Sequence, residues 1–331
     1  MAGRRASAVK ALRAPDTITL HDVRAARERL RGVVSRTPLV RLEGSEAPEI
    51  YLKLETLQPI RSFKVRGACN AVAMLSEREL SHGVYTASAG NMAQGLAWAA
   101  RKHGVACAVV VPDGAPQTKL DAVRRLGART VSLPYAEWWD VLATHRYPPL
   151  EPAHFVHPVS NVDVMAGNGT IGLEIIEDLD APDTVLVPFG GGGLSGGIAA
   201  AIRGMRPGVR VYGCEVETAT PLDAAWRAGS PVESPRTPTF VDGIGGPVVL
   251  PEMWPVARRL LAGALVVSLA EVVSAIRTLV DRVAVVAEGA GAASVAAGVK
   301  GLGGTGRVVC VVSGGNIDQA VLSRILAGQQ P

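Results

Sequence analysis

Six glycines occur within eight residues of one segment, at positions 190–193, 196 and 197. The segment follows an apolar, β-branched run at 184–187 and precedes an alanine-rich stretch with helical spacing. Without a Cβ atom, the backbone can turn tightly and point successive N–H groups at an anion, which then lies at the positive end of the following helix. The spacing predicts a phosphate-binding loop between a strand and a helix.

Two kinds of cofactor carry such a phosphate. Gly191-x-Gly193-x-x-Gly196 has the spacing of a dinucleotide-binding turn, and Glu215 lies about 20 residues further on, where an acid would bind the ribose. These residues favour an NAD(P)-dependent oxidoreductase. This spacing is one short motif and is weak evidence by itself, so other residues must indicate which cofactor binds.

Three further groups favour a different cofactor. Lys64 is predicted to start a helix, where a cation is disfavoured and a neutral amine or an imine is promoted. Ser88-Ala89-Gly90-Asn91 lies between a predicted strand and helix and offers N–H groups to a carboxylate. Ser313 places a hydroxyl at the carboxyl end of the last predicted strand, where ligands bind in α/β sheets. Together these groups match pyridoxal 5'-phosphate and an amino-acid substrate better than a nicotinamide.

The elements that position these groups follow an α/β pattern. Short β-branched runs alternate with helical segments, which predicts mostly parallel strands covered by helices. Strands are predicted at 50–54, 83–87, 106–111, 184–187, 210–215 and 307–312. Helices are predicted at 20–33 and from about residues 65, 91, 117, 221 and 317. His157, at a predicted strand end, is interpreted as structural.

Composition excludes several classes of protein. The chain has 331 residues, of which 48% are hydrophobic and 19% charged, enough to bury a large core. Residues 1–36 carry nine Lys or Arg and three acids, so the net charge of +4 comes from this end. A basic stripe with interleaved aromatic residues is absent, which argues against nucleic-acid binding. No stretch of about 20 residues is continuously apolar and uncharged, so no membrane span is expected.

The ordered motifs of the chain resemble those of the fold-type-II pyridoxal-phosphate enzymes, in particular the serine and threonine dehydratases. The resemblance extends from about Asp22 to Ala327. It rests on these strings: Lys53-Leu54-Glu55-x-Leu57-Gln58-Pro59, Ser62-Phe63-Lys64, Ala87-Ser88-Ala89-Gly90-Asn91-x-Ala93-Gln94-Gly95, the glycine loop, Asp242-Gly243-Ile244, Glu288-Gly289-Ala290-Gly291-Ala292 and Ser313-Gly314-Gly315-Asn316. The family implies an α/β fold of two open, mostly parallel sheets with flanking helices.

The resemblance also implies roles for individual residues. Lys64 would bind the cofactor covalently and act as the general base, Phe63 would pack on one face of the ring, Asn91 would bind its phenolic oxygen, and Ser313 would face the pyridine nitrogen. The phosphate would be bound by the loop of Gly190, Gly191, Gly192, Gly193 and Leu194. The substrate carboxylate would be bound by Ser88, Ala89, Gly90 and Asn91. The implied reaction is β-elimination from a threonine-type or serine-type substrate, which gives a 2-oxo acid and ammonia.

Three residues near the predicted site depart from the family pattern. Ala89 stands where racemases of the family carry serine, which ranks a lyase above a racemase. Met92 replaces the usual histidine and is interpreted either as core packing or as a change in substrate specificity. Arg61 replaces the usual glycine and is either a solvated charge or a binding group for an extra carboxylate or phosphate.

Several alternatives remain open from the sequence. They are a β-replacement enzyme similar to threonine synthase, a racemase, a lyase for an acidic or otherwise modified hydroxy-amino acid, the NAD(P)-dependent oxidoreductase, and a cofactor-binding protein without turnover. Glu215 is the one candidate metal ligand, and the need for a divalent or monovalent cation is not fixed.

The family pattern predicts the domain organisation. Residues 1–18 are expected to form a disordered basic arm, residues 19–54 and 156–331 a large cofactor-binding domain, and residues 55–155 a small substrate-side domain. A homodimer is expected from the resemblance. The four cysteines lack Cys-x-x-Cys spacing, so a reducing, cytoplasmic location is expected.

Overall fold

The computed structural model describes residues 13–44 and 48–331. The first twelve residues of the predicted arm at 1–18 lie outside the described residues. The rest of that segment differs from the prediction, because Pro15–Thr17 form a 3-10 helix and Ile18 is only 2% exposed. Arg13 also forms an ion pair with Asp22 at 2.7 Å. Residues 13–18 therefore belong to the folded structure.

The strands form two sheets. In chain order they are β1 (Leu39–Arg41), β2 (Glu49–Leu54), β3 (Val84–Ala87), β4 (Cys107–Pro112), β5 (Arg129–Leu133), β6 (His154–Phe155), β7 (Thr184–Pro188), β8 (Arg210–Val216), β9 (Gly263–Val267) and β10 (Arg307–Val312). The larger sheet has the order β1-β2-β10-β7-β8-β9, and the smaller has the order β5-β4-β3-β6. All neighbouring strands are parallel except β1 and β2. The predicted fold class is confirmed.

Helices cover both sheets. They are α1 (Leu20–Leu30), α2 (Lys64–Ala73), α3 (Glu77–Ser81), α4 (Asn91–His103), α5 (Gln117–Arg125), α6 (Tyr135–Thr144), α7 (Val162–Asp178), α8 (Gly193–Met205), α9 (Pro221–Ala228), α10 (Trp254–Leu260), α11 (Leu269–Val283), α12 (Gly289–Val299) and α13 (Gln319–Leu326). Among the described residues, none of the helices combines the length and apolar character that a membrane crossing requires.

The pleat of β10 divides the core of the larger sheet into two layers. Val309 and Val311 pack with the residues of α7 and α8 on one face, whereas Val308, Cys310 and Val312 pack with α11 and α12 on the other. Side chains that alternate in this way require helices on both faces. Parallel strands also bring their carboxyl ends to one edge of a sheet. The loops before α2 and α8 lie at this edge of the larger sheet, and the loop before α4 lies at the corresponding edge of the smaller sheet.

A buried ionic network anchors α2. The guanidinium of Arg66 donates to both carboxylate oxygens of Glu55 at 2.8 Å and to those of Glu174 at 2.6 and 3.0 Å. Lys53 donates to Glu174 from the other side at 2.6 Å. Arg66 is 1% exposed, and Glu55 and Lys53 are fully buried. The two cations and two anions hold the first turn of α2 against α7 and the end of β2.

Replacing Arg66 with Met is expected to lower the free energy of unfolding by about 3–5 kcal/mol, because buried Glu55 would lose its cationic partner and Glu174 would keep only Lys53. Urea unfolding monitored by circular dichroism measures this change. Arg206 is a matched control, since it pairs with Asp180 at 2.8 Å on the surface. Arg206→Met should cost about 0–1 kcal/mol. Equal losses in the two variants would contradict the anchoring role of Arg66.

Candidate active site

Backbone hydrogen bonds fix the approach to Lys64, the first residue of α2. The N–H of Phe63 donates to the carbonyl of Ser313 at 3.0 Å, and the N–H of Gly315 donates to the carbonyl of Arg61 at 2.9 Å. These two bonds tie the residues on the N-terminal side of Lys64 to the end of β10. The lysine is therefore held at the carboxyl edge of the larger sheet.

The amine of Lys64 has a specific partner. Its Nζ donates to the carbonyl oxygen of Pro158 at 3.1 Å and lies 5.1 Å from the centre of the Phe63 ring. Burial lowers the pKa of Lys64 to about 8, while the nearby carboxyl of Glu288 acts in the opposite direction. A substantial fraction of this amine is therefore neutral just above neutral pH, as a nucleophile or a general base requires.

The glycine loop joins β7 to α8, where the sequence predicts a phosphate cradle. Gly192 has a φ of 93°, which glycine adopts without strain, and α8 begins at Gly193. A Cβ atom on Gly191 would lie 2.7 Å from the side chain of Val159, and one on Gly193 would lie 2.6 Å from its carbonyl oxygen. The N–H groups of the first turn of α8, including that of Leu194, have no carbonyl partner within the helix. Their arrangement can bind an anion.

A second anion-binding turn joins β3 to α4. The Oγ of Ser88 accepts the N–H of Gly90 at 3.2 Å, and α4 begins at Asn91 without a side-chain cap. The remaining N–H groups at this helix start are available to a carboxylate. Gly95 lets α4 approach the lysine closely, because a Cβ there would lie 3.0 Å from the carbonyl oxygen of Lys64. The turn and the lysine therefore belong to one cleft.

Three polar side chains meet at the end of β10. The amide of Asn91 donates to the carboxyl of Glu288 at 2.7 Å, and its oxygen accepts from the amide of Asn316 at 2.8 Å. Ser313 lies three residues before Asn316 and is 3% exposed. Burial, together with the charge of Asp242, raises the pKa of Glu288 to about 7. The carboxyl of Glu288 is therefore partly protonated near neutral pH and fixes the orientation of Asn91.

The three departing residues lie in different surroundings. Met92 is 1% exposed and belongs to the apolar cluster that contains Val65 and Leu96, which favours its interpretation as core packing. Ala89 is partly buried in the turn before α4. Arg61 is exposed and has a φ of 55°, a left-handed conformation that is uncommon outside glycine.

Glu215 has a structural role in this chain. Its carboxyl oxygens accept the N–H groups of Leu222 and Asp223 at 2.8 and 2.9 Å, at the start of α9. Burial raises the pKa of Glu215 to about 7. Because both oxygens bind the start of this helix, the geometry supports neither the ribose-binding nor the metal-binding interpretation of Glu215.

Comparison with known proteins identifies the family. A family model described as pyridoxal-phosphate dependent enzyme matches residues 30–314. The chain belongs to this family. It is similar to the L-threonine ammonia-lyase of Thermotoga maritima, with 41% identity over 315 residues that cover 93% of this chain and 78% of that protein. It is also similar to the catabolic L-threonine dehydratase of Escherichia coli strain K12, with 36% identity over 93% of this chain and 96% of that protein.

Solved structures agree with this membership. Maize serine racemase matches with a TM-score of 0.86 and 28% identity, over 94% of this chain and 97% of that chain. The processed form of threonine deaminase isoform 2 from Solanum lycopersicum matches with a TM-score of 0.84 and 31% identity, over 93% of this chain and 92% of that chain. The family predicted from the motifs is confirmed, and the nicotinamide interpretation of the glycine loop loses its support.

The residues of the cleft fit pyridoxal phosphate. When bound, this cofactor supplies an aldehyde that condenses with amines and a ring that withdraws electrons from the attached amino acid. The partly neutral amine of Lys64 suits the aldehyde. The glycine loop, which has no room for Cβ atoms at Gly191 and Gly193, suits the phosphate. Asn91 and Ser313 offer an amide and a hydroxyl to the ring.

Sequence reasoning missed two residues of this cleft and left the role of a third open. Pro158 contacts the lysine through its backbone carbonyl, which no side-chain pattern reveals. Asn316 and Glu288 stand out in the sequence only as members of motif strings, which leaves the role of Glu288 open. An acid at a helix start usually caps the helix, but the side chain of Glu288 makes no capping bond to α12 and binds Asn91 instead.

Replacing Gly193 with Ala is expected to weaken cofactor binding by about tenfold or more, because the new Cβ would push the loop away from Val159 and misplace its N–H groups. Titration of the apoenzyme with pyridoxal phosphate, followed by protein fluorescence, measures the dissociation constant. Gly208 is the matched control, since a Cβ there would have no neighbour within 4 Å. An unchanged dissociation constant for Gly193→Ala would argue against the phosphate cradle.

Proposed function

We propose that the protein is an ammonia-lyase that eliminates the β-hydroxyl of a threonine-type or serine-type amino acid and yields a 2-oxo acid and ammonia. The observation that carries this proposal is the buried Lys64 amine in one cleft with the Ser88 turn and near the glycine loop. The similarity to an L-threonine ammonia-lyase and an L-threonine dehydratase supports the substrate class.

Lys64 would serve as the general base. An unmodified Nζ of Lys64 could accept the α-proton of a substrate bound in the cleft. The lowered pKa of about 8 leaves part of this amine unprotonated at neutral pH. The carbonyl of Pro158 holds the Nζ in the cleft through a hydrogen bond. This restraint would limit the side of the substrate from which the Nζ removes the α-proton.

The Ser88 turn would hold the substrate carboxylate. The free N–H groups at the start of α4 complement its negative charge. Because α4 packs closely on the backbone of Lys64 at Gly95, a substrate held at the start of α4 would lie near Lys64. The α-proton and the β-hydroxyl leave as water, and the released enamine hydrolyses to the 2-oxo acid and ammonia.

Two residues favour elimination over related reactions. Ser313 would offer the pyridine nitrogen of the cofactor a neutral hydroxyl and not an acid, which would make the bound ring a weaker electron sink. Elimination tolerates this, because loss of the β-substituent relieves the negative charge at the α-carbon. A racemase needs a second base on the opposite face, and the methyl group of Ala89 cannot relay a proton.

Arg61 favours a second substrate class. Its guanidinium is exposed next to the start of α2, and its left-handed backbone occupies a position that glycine would adopt more easily. An arginine retained at this cost is suited to binding an additional carboxylate or phosphate of the substrate. A 3-hydroxyaspartate-type substrate is therefore part of the proposal.

The proposal includes the organisation of the chain. The strands of the larger sheet fall within 19–54 and 156–331 and those of the smaller sheet within 55–155, which supports a large cofactor-binding and a small substrate-side domain. Family resemblance supports a homodimer. Cys69, Cys107, Cys214 and Cys310 are free thiols, which suits the cytoplasm.

A substrate panel tests the function. The holoenzyme is incubated with threonine, serine, phenylserine and 3-hydroxyaspartate, and 2-oxo acid, ammonia and the chirality of the remaining substrate are measured. We expect equal amounts of 2-oxo acid and ammonia without an added nucleophile, and no D-serine. Turnover of 3-hydroxyaspartate that falls about tenfold in Arg61→Gly would support the acidic class. Absence of ammonia from every substrate, or accumulation of D-serine, would contradict the proposal.

A further inference from the structure

A cluster of titratable side chains lies behind the cleft. The histidine cluster consists of His145 at the end of α6, His157 after β6 and Glu252 in the 3-10 helix Pro251–Met253, with Ser160 between them. The Nε2 of His145 lies 3.4 Å from Glu252 and 3.4 Å from the Oγ of Ser160, which is 3.0 Å from the Nδ1 of His157. The four residues therefore come from three places: the end of α6, the connection between β6 and α7, and the 3-10 helix that precedes α10.

The geometry of the cluster does not suit a metal ion, although its ligand-type atoms lie within 4.8 Å of one another. The Nδ1 of His157 already accepts the N–H groups of Val159 and Ser160 at 3.1 and 2.8 Å. Its Nε2 donates to the carbonyl of Leu142 at 3.2 Å. The rings of His145 and His157 are stacked at 4.3 Å, so their nitrogen lone pairs lie in nearly parallel planes and do not converge at metal-bonding distance.

His157 instead organises the turn that follows it. Its neutral imidazole accepts two successive backbone N–H groups and donates to a third backbone group, which is the full capacity of the ring. Burial lowers the pKa of His157 to about 3, so the imidazole stays neutral across the physiological range. The turn at 157–160 is therefore pinned at both ring nitrogens.

This turn contacts both halves of the cofactor site. The carbonyl of Pro158 accepts from the Nζ of Lys64. The next residue, Val159, lies against the glycine loop, within 2.7 Å of the Cβ position of Gly191 and 2.6 Å of that of Gly193. A displacement of the turn would move the amine and the phosphate cradle together.

The remaining members of the cluster brace His157 from outside the site. His145 ends α6 with a φ of 59°, a conformation that carries a cost for a residue other than glycine, and its ring covers one face of His157. Glu252 pairs with His145, and this hydrogen bond lowers the pKa of Glu252 although the burial of its carboxyl acts in the opposite direction. The brace links the end of α6 to the start of α10.

We infer that His157 is a positioning residue for the cofactor site, which sets the Lys64 amine and the glycine loop through the Pro158–Val159 turn, with His145 and Glu252 as its brace. The inference rests on the proposed function only where it concerns the rate of substrate turnover. Its principal readouts are cofactor affinity and the titration of the amine, which remain measurable if the proposed substrates are wrong.

The test compares His157→Phe, which fills the ring volume without the Nδ1 acceptor, with His157→Asn, whose Oδ1 can accept the same N–H groups. Three quantities are measured on each holoenzyme: the dissociation constant for pyridoxal phosphate, the pH midpoint of the absorption band of the bound cofactor, and the free energy of unfolding. We expect His157→Phe to raise the dissociation constant about tenfold and to move the midpoint, and His157→Asn to restore most of both.

His154→Phe is the control, because His154 lies three residues earlier in β6 and its own side chain is partly buried. It should leave the dissociation constant and the midpoint unchanged. If His157→Phe lowers only the free energy of unfolding and changes neither readout, His157 is merely structural and the inference is wrong.

Two further measurements keep the inference testable if His157→Phe does not fold. Glu252→Ala removes the partner of His145 and a hydrogen bond to Ser160 but leaves His157 in place, and it should raise the dissociation constant for pyridoxal phosphate about threefold. An unchanged constant would overturn the role of the brace. Titration of the holoenzyme with Zn²⁺ tests the metal interpretation, and stoichiometric binding that His145→Ala abolishes would replace the positioning role with a metal centre.

Discussion

The structure depends on keeping the amine of one lysine out of water at a helix start. A charged ammonium is unfavourable in both respects, since burial removes its hydration and the helix dipole opposes its charge. Burial is the largest cause of the lowered pKa of Lys64, and the carboxyl of Glu288 limits the shift. Because this environment destabilises the charged ammonium, the surrounding structure must hold Lys64 in place. Much of the fold around the cleft makes contacts that do so.

Three separate contacts hold that position. The Arg66 network fixes α2 through α7 and β2, two backbone bonds join the preceding residues to the end of β10, and α4 packs on the lysine backbone at Gly95. Each involves a different part of the chain, and they meet only at the cleft. Lys64 therefore lies where elements in and beside the larger sheet (α2, α7 and the end of β10) meet α4, which packs on the smaller sheet.

Local patterns predicted the elements well where one strong signal was present. The run of β-branched residues gave β10 its observed bounds, Arg307–Val312, and α5 begins at Gln117 as expected. Helix ends were less predictable. The last helix was expected from residue 317 but begins at Gln319, because the side chain of Asp318 caps it. The first helix was expected to reach residue 33 but ends at Leu30, shortly before Gly32 adopts a φ of 71°.

The position of three site motifs in the fold could be predicted from the sequence, but the contacts that support them could not. The Lys64 string, the Ser88 turn and the glycine loop each lie between a strand and a helix, so their placement at the sheet edges follows from the α/β pattern. Asn91 and Glu288, by contrast, are 197 residues apart, and Arg66 and Glu174 are 108 apart. Pairs at such separations leave no local periodicity. The bond between Lys64 and the carbonyl of Pro158 depends on the backbone alone, so no residue type indicates it.

The most direct test of this account is to locate the covalent attachment of pyridoxal phosphate by borohydride reduction, proteolysis and mass spectrometry. We expect the added mass on Lys64, and we expect the rate of attachment to the apoenzyme to rise as the pH passes through about 8, where this amine becomes neutral. The sign follows from the lowered pKa, since the neutral amine is the reactive form above it. Attachment to another lysine, or no attachment while Lys64 remains unmodified, would contradict the account.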